Sequence, residues 1–198
     1  MRFYRFIKRI FDLFAATLLL LLISPLTAII IMLQFILYRE KVFFCQPRVG
    51  ENFRIFNIFK FKTMLDLKDA HERLLPDELR VTWFGYFLRA YHLDEIPQLI
   101  NIINGDLSFV GPRPLLREYL AYYHPRELQR HSVRPGLTGL AQVKGGNAID
   151  WDSRFQLDLD YIASHSLLND LKIIILTFFN LFKKNKFIFS ISLVEVRS

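Results

Sequence analysis

The chain has 198 residues, of which 52% are hydrophobic and 15% aromatic, and its 26 Lys and Arg against 19 Asp and Glu leave a formal charge of +7. That balance excludes a disordered or fibrous protein, and the length suits one domain with a sizeable core rather than two domains and a linker. A positive mean hydropathy of +0.22 beside 23% charged residues places the apolar residues in a concentrated segment.

That segment is residues 13–37, which carry no charge over 25 positions. As a helix it reaches ~37 Å, against a hydrocarbon core of about 30 Å. A cleaved signal peptide is not expected, because the apolar run passes straight into Tyr38, Arg39, Glu40 and Lys41. Arg2, Arg5, Lys8 and Arg9 precede the run and Arg39 and Lys41 follow it, so both flanks read as cytoplasmic. Ser24-Pro25 lies near the midpoint, where proline removes a helix hydrogen bond and the Ser24 hydroxyl is available to the freed backbone groups. A helix that dips into one leaflet and returns satisfies both flanks, and these residues leave it and a simple transmembrane span about equally open.

The single cysteine, Cys45, excludes an internal disulfide and a cysteine-based metal site, and its apolar neighbours predict a buried small residue. Residues 42–45 and 53–62 read as strands of a hairpin joined through a turn at 47–52. Helices are expected over 68–75, 84–91, 94–103, 115–123 and 153–164, with irregular backbone at 111–114 and a glycine-rich loop at 134–146. The mixture predicts an α+β fold rich in helix. Near the C-terminus Leu171, Ile174, Ile175, Phe178, Phe179 and Phe182 recur at helical spacing, followed by Lys183, Lys184 and Lys186. Packing on the protein's own core and an interfacial position on anionic lipid both explain such a face, and the nearby membrane segment favours the interface.

Asp94-Glu95 sets two carboxylates side by side at an expected helix start. The ordinary explanation is an N-cap with an acidic first turn; the chemical one is a nucleophile or metal ligand beside a second acid or base. Candidate phosphate-binding cations stand in restrained settings. Lys60 and Lys62 alternate with phenylalanines on an expected strand, Arg113 sits between Pro112 and Pro114, and Arg134 opens Arg134-Pro135-Gly136-Leu137-Thr138-Gly139. A solvated strand face and ordinary turn chemistry are the plain alternatives. The five histidines show no metal-ligand spacing, and neither a GxxxxGK[ST] nor a GxGxxG motif is present. Nucleic acid is not an expected partner, because the cations bracket membrane-like segments that lipid explains more directly.

Taken in order, Phe61-Lys62-Thr63-Met64, Leu93-Asp94-Glu95-Ile96-Pro97-Gln98, the run from Gly105 through Gly111-Pro112-Arg113-Pro114, and Arg134-Pro135-Gly136-Leu137-Thr138-Gly139 resemble the bacterial sugar transferases called monotopic phosphoglycosyl transferases. The resemblance covers nearly the whole chain and is closest to the small members that initiate glycan assembly. It implies a re-entrant membrane helix over residues 1–38, broken at Ser24 and Pro25, and a compact catalytic domain over 39–198 with interfacial amphipathic helices. The location implied is the cytoplasmic face of the bacterial inner membrane. The implied reaction moves a sugar 1-phosphate from a UDP-sugar to a polyprenol phosphate, with undecaprenyl phosphate expected, and releases UMP. Mg2+ is the implied cofactor. Matched motif by motif, Asp94 is the implied nucleophile and metal contact, Glu95 its acidic partner, and Arg113, Arg89, Lys60, Lys62 and Arg134 the implied phosphate-binding residues. Membrane lipid, a second copy of the chain and downstream glycosyltransferases are the remaining implied partners. Lys144-Gly145-Gly146-Asn147 stands where members often have Asn-Gly-Arg-Asn, so the donor preference is open. The competing expectation is a non-catalytic membrane-associated lipid-binding scaffold, which leaves the carboxylate pair and constrained arginines unexplained.

Overall fold

A computed structural model describes the backbone of residues 2–39 and 41–195 and the side chains of residues 3–39, 41–146 and 148–181. The N-terminal segment forms two helices, α1 (Arg2–Leu22) and α2 (Ser24–Tyr38), bent by 59° at Ile23. No single described helix is long and apolar enough to cross a membrane, whereas this bent pair passes that test jointly. The break has a local cause. Pro25 lacks the N–H that would bond the Leu21 carbonyl, and the Ser24 hydroxyl donates to that same oxygen at 2.8 Å.

Both ends of the bent pair rest on one body. At the start of α1, the Arg9 guanidinium donates to Ile102 O at 2.6 Å and to Ile103 O at 2.7 Å, capping the last carbonyls of α5 (Gln98–Asn104). Lys8 Nζ lies 2.6 Å from Asp170 Oδ2, and the Tyr4 and Tyr161 hydroxyls donate to the same carboxylate at 2.7 and 2.8 Å. Ala16 packs among Phe56, Ile58, Leu99, Ile102 and Leu107. At the end of α2, Gln34 Nε2 donates to Lys62 O at 2.6 Å, and Ile30 is buried with Phe61, Phe84 and Leu88. The outward faces stay apolar and exposed, Phe14, Leu21, Leu22 and Phe35 among them.

Strands β1 (Phe43–Val49) and β2 (Ile55–Phe61) pair antiparallel, with Phe43 opposite Phe61 and Val49 opposite Ile55. The expected hairpin is present, but its turn starts later: Pro47, Arg48 and Val49 belong to β1, and Gly50 with the 3-10 turn Glu51–Phe53 makes the connection. Proline is tolerated there because β1 is an edge strand of a two-stranded sheet. Cys45, expected to be buried, is exposed on that strand. The helix expected over 68–75 is absent. Lys68 and Leu74 instead form an antiparallel bridge, and Asp69 Oδ1 accepts from the backbone of His71 at 2.8 Å and Arg73 at 2.9 Å, a local bonding pattern that competes with a helix. Helix α3 (Asp77–Arg80) follows, then α4 (Trp83–Ala90), N-capped by Thr82.

Strands β3 (Ser108–Val110) and β4 (Gly136–Thr138) pair in parallel, so the stretch 134–146 is not a plain loop: it carries β4 and α6 (Leu140–Lys144). Gly111 and Gly136 let the two segments touch; a Cβ on Gly136 would lie 2.1 Å from Gly111 N. The helix expected over 115–123 is a 3-10 turn, Arg117–Tyr122, and a second 3-10 turn spans Glu127–Ser132. Helices α7 (Trp151–Ser164) and α8 (Leu167–Glu195) close the chain, giving the expected helix-rich α+β fold. On α8, Asp170 and Ile173 face inward while Leu171, Ile175, Phe178 and Phe179 are exposed. The predicted apolar stripe therefore turns mainly away from the core. Its last member, Phe182, and Lys183, Lys184 and Lys186 lie outside the described side chains.

Candidate active site

The carboxylate pair sits on a sharp turn rather than inside a helix. His92 adopts a left-handed conformation (φ 55°, ψ 21°), the chain makes the 3-10 turn Leu93–Glu95, and α5 begins only after Pro97. The expected helix over 94–103 is thus split. Pro97 has no N–H to offer the preceding turn, so the pair is held at a junction where both side chains can face one side.

The two carboxylates have different surroundings. Glu95 Oε1 receives Lys60 Nζ at 2.6 Å and Arg113 Nη2 at 3.1 Å. Burial opposes its ionisation, but Arg113 and Lys60 outweigh it and hold the carboxyl down to about 2. Asp94 is 9% exposed and, among the described residues, its carboxylate accepts no hydrogen bond. Burial, and next the Glu95 charge, push its pKa above the ordinary aspartate value, against the pull of Lys60, His92 and Arg89. One carboxylate is locked by cations; its neighbour keeps lone pairs that no described residue uses.

The supporting elements explain this placement. Lys60 is near the end of β2, whose register against α5 is set by Asn101, fully buried: its Oδ1 accepts from Phe59 N at 3.0 Å and its Nδ2 donates to Asn57 O at 2.8 Å. The Arg113 carbonyl accepts from Arg130 Nη2 at 2.8 Å, and Arg130 is itself buried against Asp158 at 2.7 Å. Arg89 donates from Nε to Thr63 Oγ1 at 2.8 Å. That contact depends on Gly85, where a Cβ would lie 2.1 Å from Thr63 O.

Of the residues singled out in the sequence, Asp94, Glu95, Lys60 and Arg113 converge, and Arg89 adds its field. Lys62 instead bonds Asp66 Oδ2 at 2.6 Å. Arg134 lies 3.5 Å from Glu51 Oε2 and lines a separate cavity with Tyr4, Lys8, Asp12 and Ser108. Sequence reading missed three contributors. Asn101 and Arg130 lie in stretches without motif punctuation. Arg48 was hidden in a presumed turn; it is half-buried on β1, donates from Nη2 to Gln46 Oε1 at 2.6 Å and lies 3.4 Å from Pro114 O.

No group of three or more His, Cys, Asp and Glu side chains able to hold a metal is found among the described residues. The unpartnered Asp94 carboxylate nevertheless fits a Mg2+ of the kind held by one or two carboxylates together with substrate phosphates and water.

Residues 3–184 match the family model for bacterial sugar transferases. The chain is 46% identical over 171 residues to the uncharacterized sugar transferase EpsL of Bacillus subtilis, covering 86% of this chain and 85% of that protein. It is 41% identical over 200 residues to the undecaprenyl-phosphate glucose phosphotransferase of Komagataeibacter xylinus, covering 91% of this chain but 37% of that longer protein. A third relative, the UDP-N-acetylgalactosamine-undecaprenyl-phosphate N-acetylgalactosaminephosphotransferase of Aeromonas hydrophila, is 38% identical over 185 residues, or 88% of this chain and 43% of that protein. A family match over residues 3–184, with relatives of this identity and coverage, makes this protein a member of the bacterial sugar transferase family.

Proposed function

We propose that the protein is a phosphoglycosyl transferase that moves a sugar 1-phosphate from a UDP-sugar to a polyprenol phosphate, undecaprenyl phosphate being the expected acceptor. The observation that carries this reading is the asymmetry of the pair: Glu95 is neutralised by Lys60 and Arg113, while the buried Asp94 carboxylate accepts no hydrogen bond among the described residues. An Asp94 oxygen attacks the β-phosphorus of the donor, the bond to the bridging oxygen breaks, and UMP leaves with the electron pair. The lipid phosphate then attacks the same phosphorus, and Asp94 leaves as a free carboxylate. Lys60 and Arg113, fixed through Glu95, and Arg89 offset the charge in both transfers. Asp94 would hold Mg2+ together with the substrate phosphates, and the ion supplies neutralisation of phosphate charge. The names of the Komagataeibacter and Aeromonas relatives support the lipid phosphate acceptor.

The same reading places the protein as a monotopic enzyme on the cytoplasmic face of the bacterial inner membrane, with α1 and α2 as a re-entrant pair. Supporting this are the 59° bend and the docking of both α1's start and α2's end on one catalytic body. A lipid phosphate lies at headgroup depth whereas a nucleotide sugar arrives from water, so a site at the interface meets both.

The test is UMP release by the nanodisc-held chain from a panel of UDP-sugars, with undecaprenyl phosphate and Mg2+. Mg2+-dependent release with at least one donor is expected, lost in Asp94→Asn. No release across the panel, or full activity of the variant, would return the scaffold as the better reading.

A further inference from the structure

The Arg48 guanidinium is poorly served by the protein around it. Its Nη2 is engaged by Gln46, its Nη1 reaches Pro114 O only at 3.4 Å, and its Nε is buried without a hydrogen-bond partner among the described residues. The same segment carries Arg113, whose side chain turns to Glu95. Burial and the neighbouring Arg113 charge both lower the Arg48 pKa, and the carboxylates within its field are Glu118 and Glu95. Glu95 is already shared by Lys60 and Arg113. Arg48 reaches the carbonyl next to Arg113 with only a long contact, and the two cations stand by a carboxylate already shared by Lys60 and Arg113; the excess positive charge of the pair is the setting in which an anion is bound.

The direction of displacement at phosphorus says which anion. The entering and leaving oxygens lie in line on opposite sides of the transferred phosphorus. Asp94 enters opposite the oxygen of the departing nucleotide, and later leaves opposite the oxygen of the arriving lipid phosphate. The α-phosphate of the donor and the phosphate of the lipid therefore occupy the same place in succession. We infer that Arg48 and Arg113 together form this shared phosphate subsite, with Arg48 a substrate-binding residue in both half-reactions. The inference rests on the covalent reading above and deepens it.

Rapid-quench intact-mass measurements on the full chain in nanodiscs separate the two steps: gain of phosphosugar from an active UDP-sugar without lipid, and discharge of that adduct by undecaprenyl phosphate. Arg48→Gln is expected to slow both steps roughly 10- to 100-fold per folded molecule, as loss of a charge-stabilising donor does elsewhere. Arg48→Lys, which keeps the charge but not the fork, should recover part of both losses. In the wild type, UMP and the lipid phosphate should compete for one adduct, UMP returning it to UDP-sugar. Unchanged rates in Arg48→Gln, loss of only one step, or non-competitive behaviour of UMP would each overturn the shared subsite. An Arg48→Gln protein with a lower melting temperature but normal rates per folded molecule would make Arg48 structural and overturn it too. A wild type that forms no adduct with any donor would bring down the covalent reading itself, an outcome distinct from all of these.

Discussion

Two carboxylate clusters lie beneath the chain's cationic segments, and they are built to opposite ends. At the foot of α1, Asp170 takes Lys8 Nζ and the Tyr4 hydroxyl on one oxygen and the Tyr161 hydroxyl on the other. Both oxygens are used. At the 3-10 turn before α5, Glu95 takes both its cations, Lys60 and Arg113, on Oε1, but Asp94 beside it is buried and left without a hydrogen bond among the described residues. A satisfied cluster fixes two elements to each other; a cluster that satisfies one acid and leaves its neighbour free stores an unfavourable charge where a phosphorus atom can use it.

The comparison breaks most sharply at Asp94. Asp94→Asn should lower turnover by roughly 10³-fold or more, because it removes the proposed nucleophile. The same variant should melt higher at neutral pH. Burial raises the Asp94 pKa, so its charge opposes folding once pH exceeds the ordinary aspartate value, and amide replacement relieves that penalty. The gain should vanish on acidification below that value; a variant no more stable than wild type at neutral pH would show that the Asp94 charge is not held at a penalty.

Asp170→Ala tests the other side. Removing one partner of a buried pair costs about 3–5 kcal/mol, so chemical denaturation should show a large loss, while the rate of Asp94 labelling per folded molecule should change little. A proportionate loss of chemistry would tie the anchor to the site more closely than their separate bonding implies. Next in size is Asn101→Ala, which strands Phe59 N and Asn57 O. A loss of a few kcal/mol is expected, at about 1–3 kcal/mol for each orphaned group, with lower activity as Lys60 drifts from Glu95.

Glu95 contributes with the opposite sign from Asp94. Its carboxyl is held down to about 2, so it stabilises the fold above its ordinary value, and that contribution fades as pH falls from about 4.5 toward about 2. Wild-type stability should slope downward across that window and Glu95→Gln should flatten the slope. The smallest effect belongs to Ser24→Ala, which strands Leu21 O and should cost about 1 kcal/mol without changing which side of the membrane either end of the helix pair occupies, as cysteine labelling at both flanks would report.

Much of this was legible in the sequence. The Ser24-Pro25 break and the hairpin follow from local chemistry, a missing N–H and alternating phenylalanines. The helices expected over 84–91 and 153–164 are present as α4 and α7, which the structure shows capped by Thr82 and Asp150. Asp94, Glu95, Lys60 and Arg113, singled out from separate stretches of the sequence, lie in one cluster. What failed was non-local. Asp69 satisfies its own backbone neighbours and dissolves the helix expected over 68–75, and β4 exists only because β3 lies beside it. Asn101, Arg130 and Arg48 act across the fold on Phe59, Arg113 and Pro114, partners far away in sequence. Arg134 shows the converse: a motif residue whose side chain pairs with Glu51 at the foot of α1.

The most direct test of the central claim is the intact mass of the full chain incubated with a UDP-sugar panel and Mg2+ in the absence of polyprenol phosphate. The account predicts a gain of one phosphosugar with at least one donor, absent in Asp94→Asn. UMP release that requires the lipid and never passes through a protein adduct would contradict it.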